Sequence, residues 1–155
     1  MKDRYGAEYL QARIGKEFPL AASMGIVVVA ATDELLVLSA PLGANANSHG
    51  TAFGGSLFSL AALAGWAWLS RYAVSNGLDA EAVIQDGHID YLLPVHGEFR
   101  AMLASPPAAE IEHFRKMLRR AARGRIRLHA DLHDGPNLAA RFDGVFAAAI
   151  RSRSG

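Results

Sequence analysis

Alternation of apolar and polar positions is clearest over residues 125–135. Ile126, Leu128, Ala130 and Leu132 fall on one face and Arg127, His129, Asp131 and His133 on the other, which predicts a half-buried strand. "DGPN" then turns the chain into a last strand at 138–150. The β-branched run 25–31 predicts a strand buried on both faces, and "TDE" turns it into a second strand over 34–41. Residues 82–95 predict a third strand, ended by Pro94, and 97–105 a fourth. Helices separate these pairs. Residues 4–17 set Tyr9, Leu10 and Ile14 on an apolar face that Phe18 extends, with Pro19 as the stop. Residues 53–72 are apolar on every side and Gly77 suits their end. Residues 106–124 open on proline, space Ile111, Phe114, Leu118 and Ala121 helically, and end at Gly124. Residues 152–155 read as a frayed tail.

The predicted order is α-β-β-α-β-β-α-β-β. Hairpins rather than strict βαβ units point to an α+β fold, with a mostly antiparallel sheet packed on a helix that is apolar all round. One domain over 1–155 is expected, a helix at 4–17 leading into a core over 18–150. Composition fits this picture: 155 residues, 51% hydrophobic and 20% charged. A net charge of +1 gives no bulk signal for nucleic acid. The absence of cysteine removes disulfides, thiolate catalysis and cysteine-ligated zinc. The first nineteen residues are charged throughout, unlike a secretory signal, so a cytoplasmic location is expected.

The stretch "NSHGTAFGGSLFSLAALAGWAWLS", residues 47–70, carries the chemistry. No residue from Gly50 to Ser70 bears a full charge, and the length approaches the ~20 residues of a membrane span. Its glycines, serines and many small alanines argue against a span, and the flanking strands need a common core. It also lacks the lysine of a phosphate-binding Walker loop. Gly54-Gly55 at the helix start permits close approach to the backbone. The first-turn N–H groups have no intrahelical partner and favour an anion or developing oxyanion. Asn45, Asn47, His49 and Thr51 lie just upstream, as ligand-orienting groups or as plain turn residues around a glycine hinge.

The pattern N-x-x-G-T-x-F-G-G-S-L-F-S-L-A at 47–61, with I-x-Y-L-x-P-V-x-G-E-F-x-A at 89–101, resembles the hot-dog-fold thioesterase superfamily. Within it the match is to the putative thioesterase family typified by the C-terminal domain of YiiD. The resemblance covers 18–150. It implies a long central helix wrapped by a curved antiparallel sheet, dimerising edge to edge or forming a dimer of dimers. It implies hydrolysis of acyl-CoA or acyl-carrier-protein thioesters at the dimer interface. The carbonyl would bond a backbone N–H near Gly55, and the acyl chain would run in a tunnel beside the helix. No cofactor is implied beyond the CoA or phosphopantetheine of the substrate itself.

One departure bears on mechanism. Many relatives have His-Gly-Gly where this chain has Phe53-Gly54-Gly55, and place an acid on the helix about two turns later. Here that region reads Leu60, Ala61, Ala62, Leu63. Asp86, with His88 and Asp90 on the same strand face, is the candidate replacement, within one chain or from a partner. Asn47 and His49 are candidates for positioning water. Thr51, Gly54, Gly55 and Ser59 are candidate substrate contacts, although a helix serine also bonds readily to its own backbone. Non-catalytic acyl-CoA binding and a hot-dog dehydratase are the alternative functions.

Two strand triplets, Asp86/His88/Asp90 and His129/Asp131/His133, have spacing that could ligate zinc, but polar alternation on a solvated strand face explains both, and no metal is expected. Residues 115–127 hold seven of the sixteen basic residues. Arg119 and Arg123 are the candidates there for meeting CoA phosphates or an acidic carrier protein, against a plain solvated helix face. The run lacks interleaved aromatics, so no nucleic-acid partner is expected.

Overall fold

A computed structural model describes residues 3–152, so most of the tail expected at 152–155 lies outside the described residues. Helices α1 (Ala7–Glu17) and α2 (Pro19–Met24) lead into strands β1 (Val27–Ala31) and β2 (Leu35–Ala40). Helix α3 (Gly54–Ser75) follows, then β3 (Ala80–Tyr91), β4 (Phe99–Ala104), helix α4 (Ala108–Ala121), β5 (Arg123–Asp134) and β6 (Asn137–Ile150). The six strands form one antiparallel sheet in the order β1-β2-β4-β5-β6-β3.

The sheet wraps α3, which contacts β2, β3, β4, β5 and β6. This is why the helix is apolar all round. Leu60, Ala61, Ala64 and Ala67 are fully buried. The helix is long and apolar enough to cross a membrane, yet most of its apolar window is packed inside the fold. Small residues let strand and helix close up. At Gly65 an added Cβ would sit 2.1 Å from Cζ of Phe146 on β6.

Four features depart from the sequence expectation. Pro19 does more than end α1: it opens α2, where its fixed φ suits the first helical position. Six residues are too few to show a period, and the helix stops at Gly25 with φ 71°. The run 25–31 is not buried on both faces. Strand β1 lies at a sheet edge, with Val27 51% and Val29 40% exposed and a bulge between Val28 and Ala30. The third strand begins at Ala80 and stops at Tyr91, before Pro94; Leu92 and Leu93 instead donate to the Ala139 carbonyl. Finally, α4 ends at Ala122 in the left-handed region, not at Gly124. Gly124 already belongs to β5, where an added Cβ would meet Phe114 and Met117 at 3.1 Å.

The two sheet edges are treated differently. Gln11 covers β1: its side-chain amide donates to the Ile26 carbonyl (3.2 Å) and accepts from the Val28 N–H (2.6 Å). β3 pairs with β6 on one side, and its other edge has no strand partner among the described residues. Exposed edges of that length are templates for pairing with another chain.

Candidate functional site at the start of the central helix

The loop entering α3 is built from asparagines. Asn45 is buried, its side-chain amide N–H donating to the Met24 and Pro41 carbonyls at 2.8 Å each, while its backbone carbonyl accepts the Phe53 N–H (2.7 Å). Asn47 closes the next turn. Its Oδ1 accepts from the N–H groups of His49 (2.9 Å) and Thr51 (3.1 Å), and its Nδ2 donates to Thr51 Oγ1 (2.8 Å). Gly50, at φ 76°, allows the reversal. Asn47 and Thr51 thus hold one another and shape the loop. His49 is exposed at its tip, with no side-chain hydrogen bond among the described residues.

Phe53 precedes the helix without a capping side chain, and its carbonyl takes the Ser56 and Leu57 N–H groups (2.9 and 3.2 Å). The N–H groups of Gly54 and Gly55 have no acceptor among the described residues. They project from the positive end of a 22-residue helix. Tyr91, at the end of β3, closes over this point. Its hydroxyl donates to the Gly54 carbonyl (2.7 Å), and its ring lies 3.1 Å from where a Cβ on Gly54 would be. Partial burial raises the phenol above its ordinary pKa, so it remains a donor at neutral pH. Sequence reasoning missed Tyr91. The available signal was parity: one residue beyond Asp90, it falls on the face that meets the helix.

Ser59 sits one turn further and donates to the Gly55 carbonyl (2.8 Å), the helix-internal bond that competes with a ligand role. It also lines an apolar cavity of about 520 Å³ between α2, α3 and β3, with Phe18, Met24, Leu63, Trp66 and Ile84 among its walls. That volume lies in the range of small-ligand pockets.

The remaining candidates lie elsewhere. Asp86 pairs in register with Val145 and Ile84 with buried Phe146, across a bulge at Gln85. This puts Asp86, His88 and Asp90 together on the outer face, away from α3, with His88 Nε2 2.9 Å from Asp90. Within one chain the structure does not bring Asp86 to the Gly54–Gly55 amides. No three metal-ligating side chains converge among the described residues. The basic run divides. Arg119 lines a small recess with Tyr72 and Asn76, at the far end of α3. Arg123 joins Arg120 and Arg125 around a broad depression of about 710 Å³ floored by Ala147 and Ala149.

Comparison with known proteins identifies the family and the fold. Residues 7–150 match the family described as "Putative thioesterase (yiiD_Cterm)". A solved structure of a protein of unknown function from Chlorobaculum tepidum TLS is 26% identical over 94% of both chains, at a TM-score of 0.89. A putative thioesterase from Shewanella oneidensis is 28% identical, with 94% of this chain and 97% of that one covered and a TM-score of 0.83. A thioesterase from Haemophilus influenzae, 14% identical over 96% and 94% with a TM-score of 0.68, shares the fold. A match across nearly the whole sequence, on a long helix wrapped by an antiparallel sheet, makes this chain a hot-dog-fold member of the putative thioesterase family.

Proposed function

We propose that the chain hydrolyses thioesters of CoA or of a carrier protein, the acyl group lying against α3. The observation that carries this reading is the pair of unpartnered N–H groups at Gly54 and Gly55 at the head of the helix face that lines the apolar cavity. A thioester carbonyl gains negative charge in the tetrahedral intermediate, where each preorganised donor is worth ~3 kcal/mol. Tyr91 fixes the Gly54 peptide, and the Asn47–Thr51 turn fixes the loop before it. Two copies joined along the free edge of β3 would form the active dimer, and the arginines around Arg119 and Arg123 would meet the phosphates or the carrier. Water would be positioned by Asn47 or His49, or by Asp86 of the second copy.

A second reading, acyl-CoA binding without turnover, is favoured by one observation: no carboxylate stands on α3 between Leu60 and Leu63. The experiment that separates them follows free thiol over a panel of acyl-CoA and acyl-carrier-protein esters. Steady release, reduced in Asn47→Ala and in Asp86→Asn, supports hydrolysis. Saturable binding with no release at any chain length supports the binding protein instead.

A further inference from the structure

Trp66 stands in the wall of the cavity beside α3, together with Phe18, Met24, Leu63 and Phe146. Gly55, Ser59, Ala62 and Trp66 follow one another at helical spacing, so they form a single stripe down the helix. The last three line the cavity, and only Trp66 among them is bulky. Trp66 is also held in place. Phe18, at the joint between α1 and α2, meets its ring edge-on at 4.6 Å between centroids. The Arg13 guanidinium lies over it at 5.0 Å and is itself anchored to Glu17 at 2.8 Å. A ring fixed from two sides is a wall rather than a swinging gate.

We propose that Trp66 is the end wall of an acyl channel that starts at the Gly54–Gly55 amides, and that it restricts this protein to medium-length linear acyl chains. This rests on the proposed thioester site for its starting point. Gly55 and Trp66 are separated by about 16 Å along the helix at ~1.5 Å per residue. Subtracting ~4 Å for contact with the ring leaves ~12 Å. An extended chain advances ~1.2 Å per bond, so roughly ten carbons fit. Phe18 lines the same cavity with its ring centre 4.6 Å from that of Trp66, so removing the indole frees the space between them, or about four further bonds.

The test pairs turnover with binding. Values of kcat/KM are measured for butanoyl- through octadecanoyl-CoA, and Kd values for the matching non-hydrolysable S-alkyl-CoA thioethers. The proteins are wild type, Trp66→Ala, Trp66→Phe and Ala62→Phe. Both quantities should worsen at least tenfold beyond the decanoyl length in wild type. The limit should move about four carbons longer in Trp66→Ala, by the channel arithmetic above, and less in Trp66→Phe. It should move shorter in Ala62→Phe, which blocks the channel a turn earlier and keeps the test decisive if Trp66→Ala does not fold. Equal use of octanoyl and hexadecanoyl esters by wild type overturns the proposal. So does a folded Trp66→Ala, or failing that Ala62→Phe, whose length profile superimposes on wild type. If no ester is hydrolysed but the thioether limit moves as described, the channel stands and the hydrolase reading falls.

Discussion

Gly65→Ala tests how α3 is seated in the sheet. In a helix interior this change should stabilise by ~1 kcal/mol, because alanine loses less backbone freedom than glycine. At Gly65 the new Cβ would lie 2.1, 2.5 and 2.6 Å from three atoms of the Phe146 ring. That ring is fully buried, and the open space it borders is the cavity that it lines. Phe142 packs against it at 6.4 Å between centroids, and even a Cβ on Gly144 would lie 2.9 Å from it. Overpacking of a filled core costs ~1–3 kcal/mol, and contacts this short belong at the upper end. The net loss is therefore about 2 kcal/mol, or a fall of roughly 4–8 °C in Tm for a chain of this size. Gly15→Ala is the matched control. It is the same substitution in α1, where an added Cβ meets nothing within 4 Å, so only the propensity gain remains. Urea and thermal unfolding of both variants, followed by tryptophan fluorescence, should give changes of opposite sign. A Gly65→Ala protein as stable as wild type would refute the claim that this contact sets the helix-to-sheet distance. Because Phe146 also lines the acyl cavity, the same variant should bind long-chain thioesters more weakly.

Other predictions follow from single sites. Ala122 ends α4 at φ 56°, which costs an L-residue ~1–2 kcal/mol, so Ala122→Gly should raise stability by up to about 1 kcal/mol in denaturant titration. Tyr91→Phe removes the hydroxyl that holds the Gly54 carbonyl; a bond worth ~1 kcal/mol predicts a fall of roughly 2–4 °C in Tm, with kcat/KM lowered because the Gly54 peptide loses its anchor. Asp3 is held below its ordinary value of 3.8, first by its hydrogen bond from Arg71. Its contribution is therefore present above that value and lost as pH falls through the lowered one, so wild type and Asp3→Asn should differ in Tm near neutrality and converge as the pH falls below the lowered value.

What the sequence disclosed depended on whether a feature is local. β5 was legible because the alternation of Ile126 to Leu132 with Arg127 to His133 is written in consecutive residues, and burial follows it. α3 was legible because a helix enclosed by a sheet must be apolar on all sides. The edge position of β1 was not legible. The run from Ile26 to Ala31 carries no polar residue to mark its exposed face, and strand order is decided by residues far along the chain. The sequence left the asparagine loop open between ligand-orienting and turn-forming roles. In the structure Asn47 and Thr51 satisfy each other, which strengthens the turn and leaves His49 exposed at its tip. Tyr91 escaped notice because its contact with Gly54 spans 37 positions and exists only once β3 has docked on α3.

The parts of the proposed chemistry divide by origin. Oxyanion donors come from backbone N–H groups, which any sequence supplies once Gly54 and Gly55 start the helix. A base must come from a side chain, and α3 offers none. Leu60 and Ala61 are fully buried, where a carboxylate would be desolvated and driven to its neutral form. Ala62 and Leu63 line the cavity, and neither has anything to ionise. The carboxylate of Asp86 stands on the outer side of the sheet, so within one chain the strand itself separates it from the amides. Two routes are then open under the proposed function. One is the exposed loop tip at His49. The other is the uncovered edge of β3, across which a second copy could present its own side chains. Gln11 closes the opposite edge and nothing in the described chain closes this one. If the protein is hydrolytic only as a dimer, activity should therefore depend on association along β3, because that is where the fold leaves room for the group it lacks.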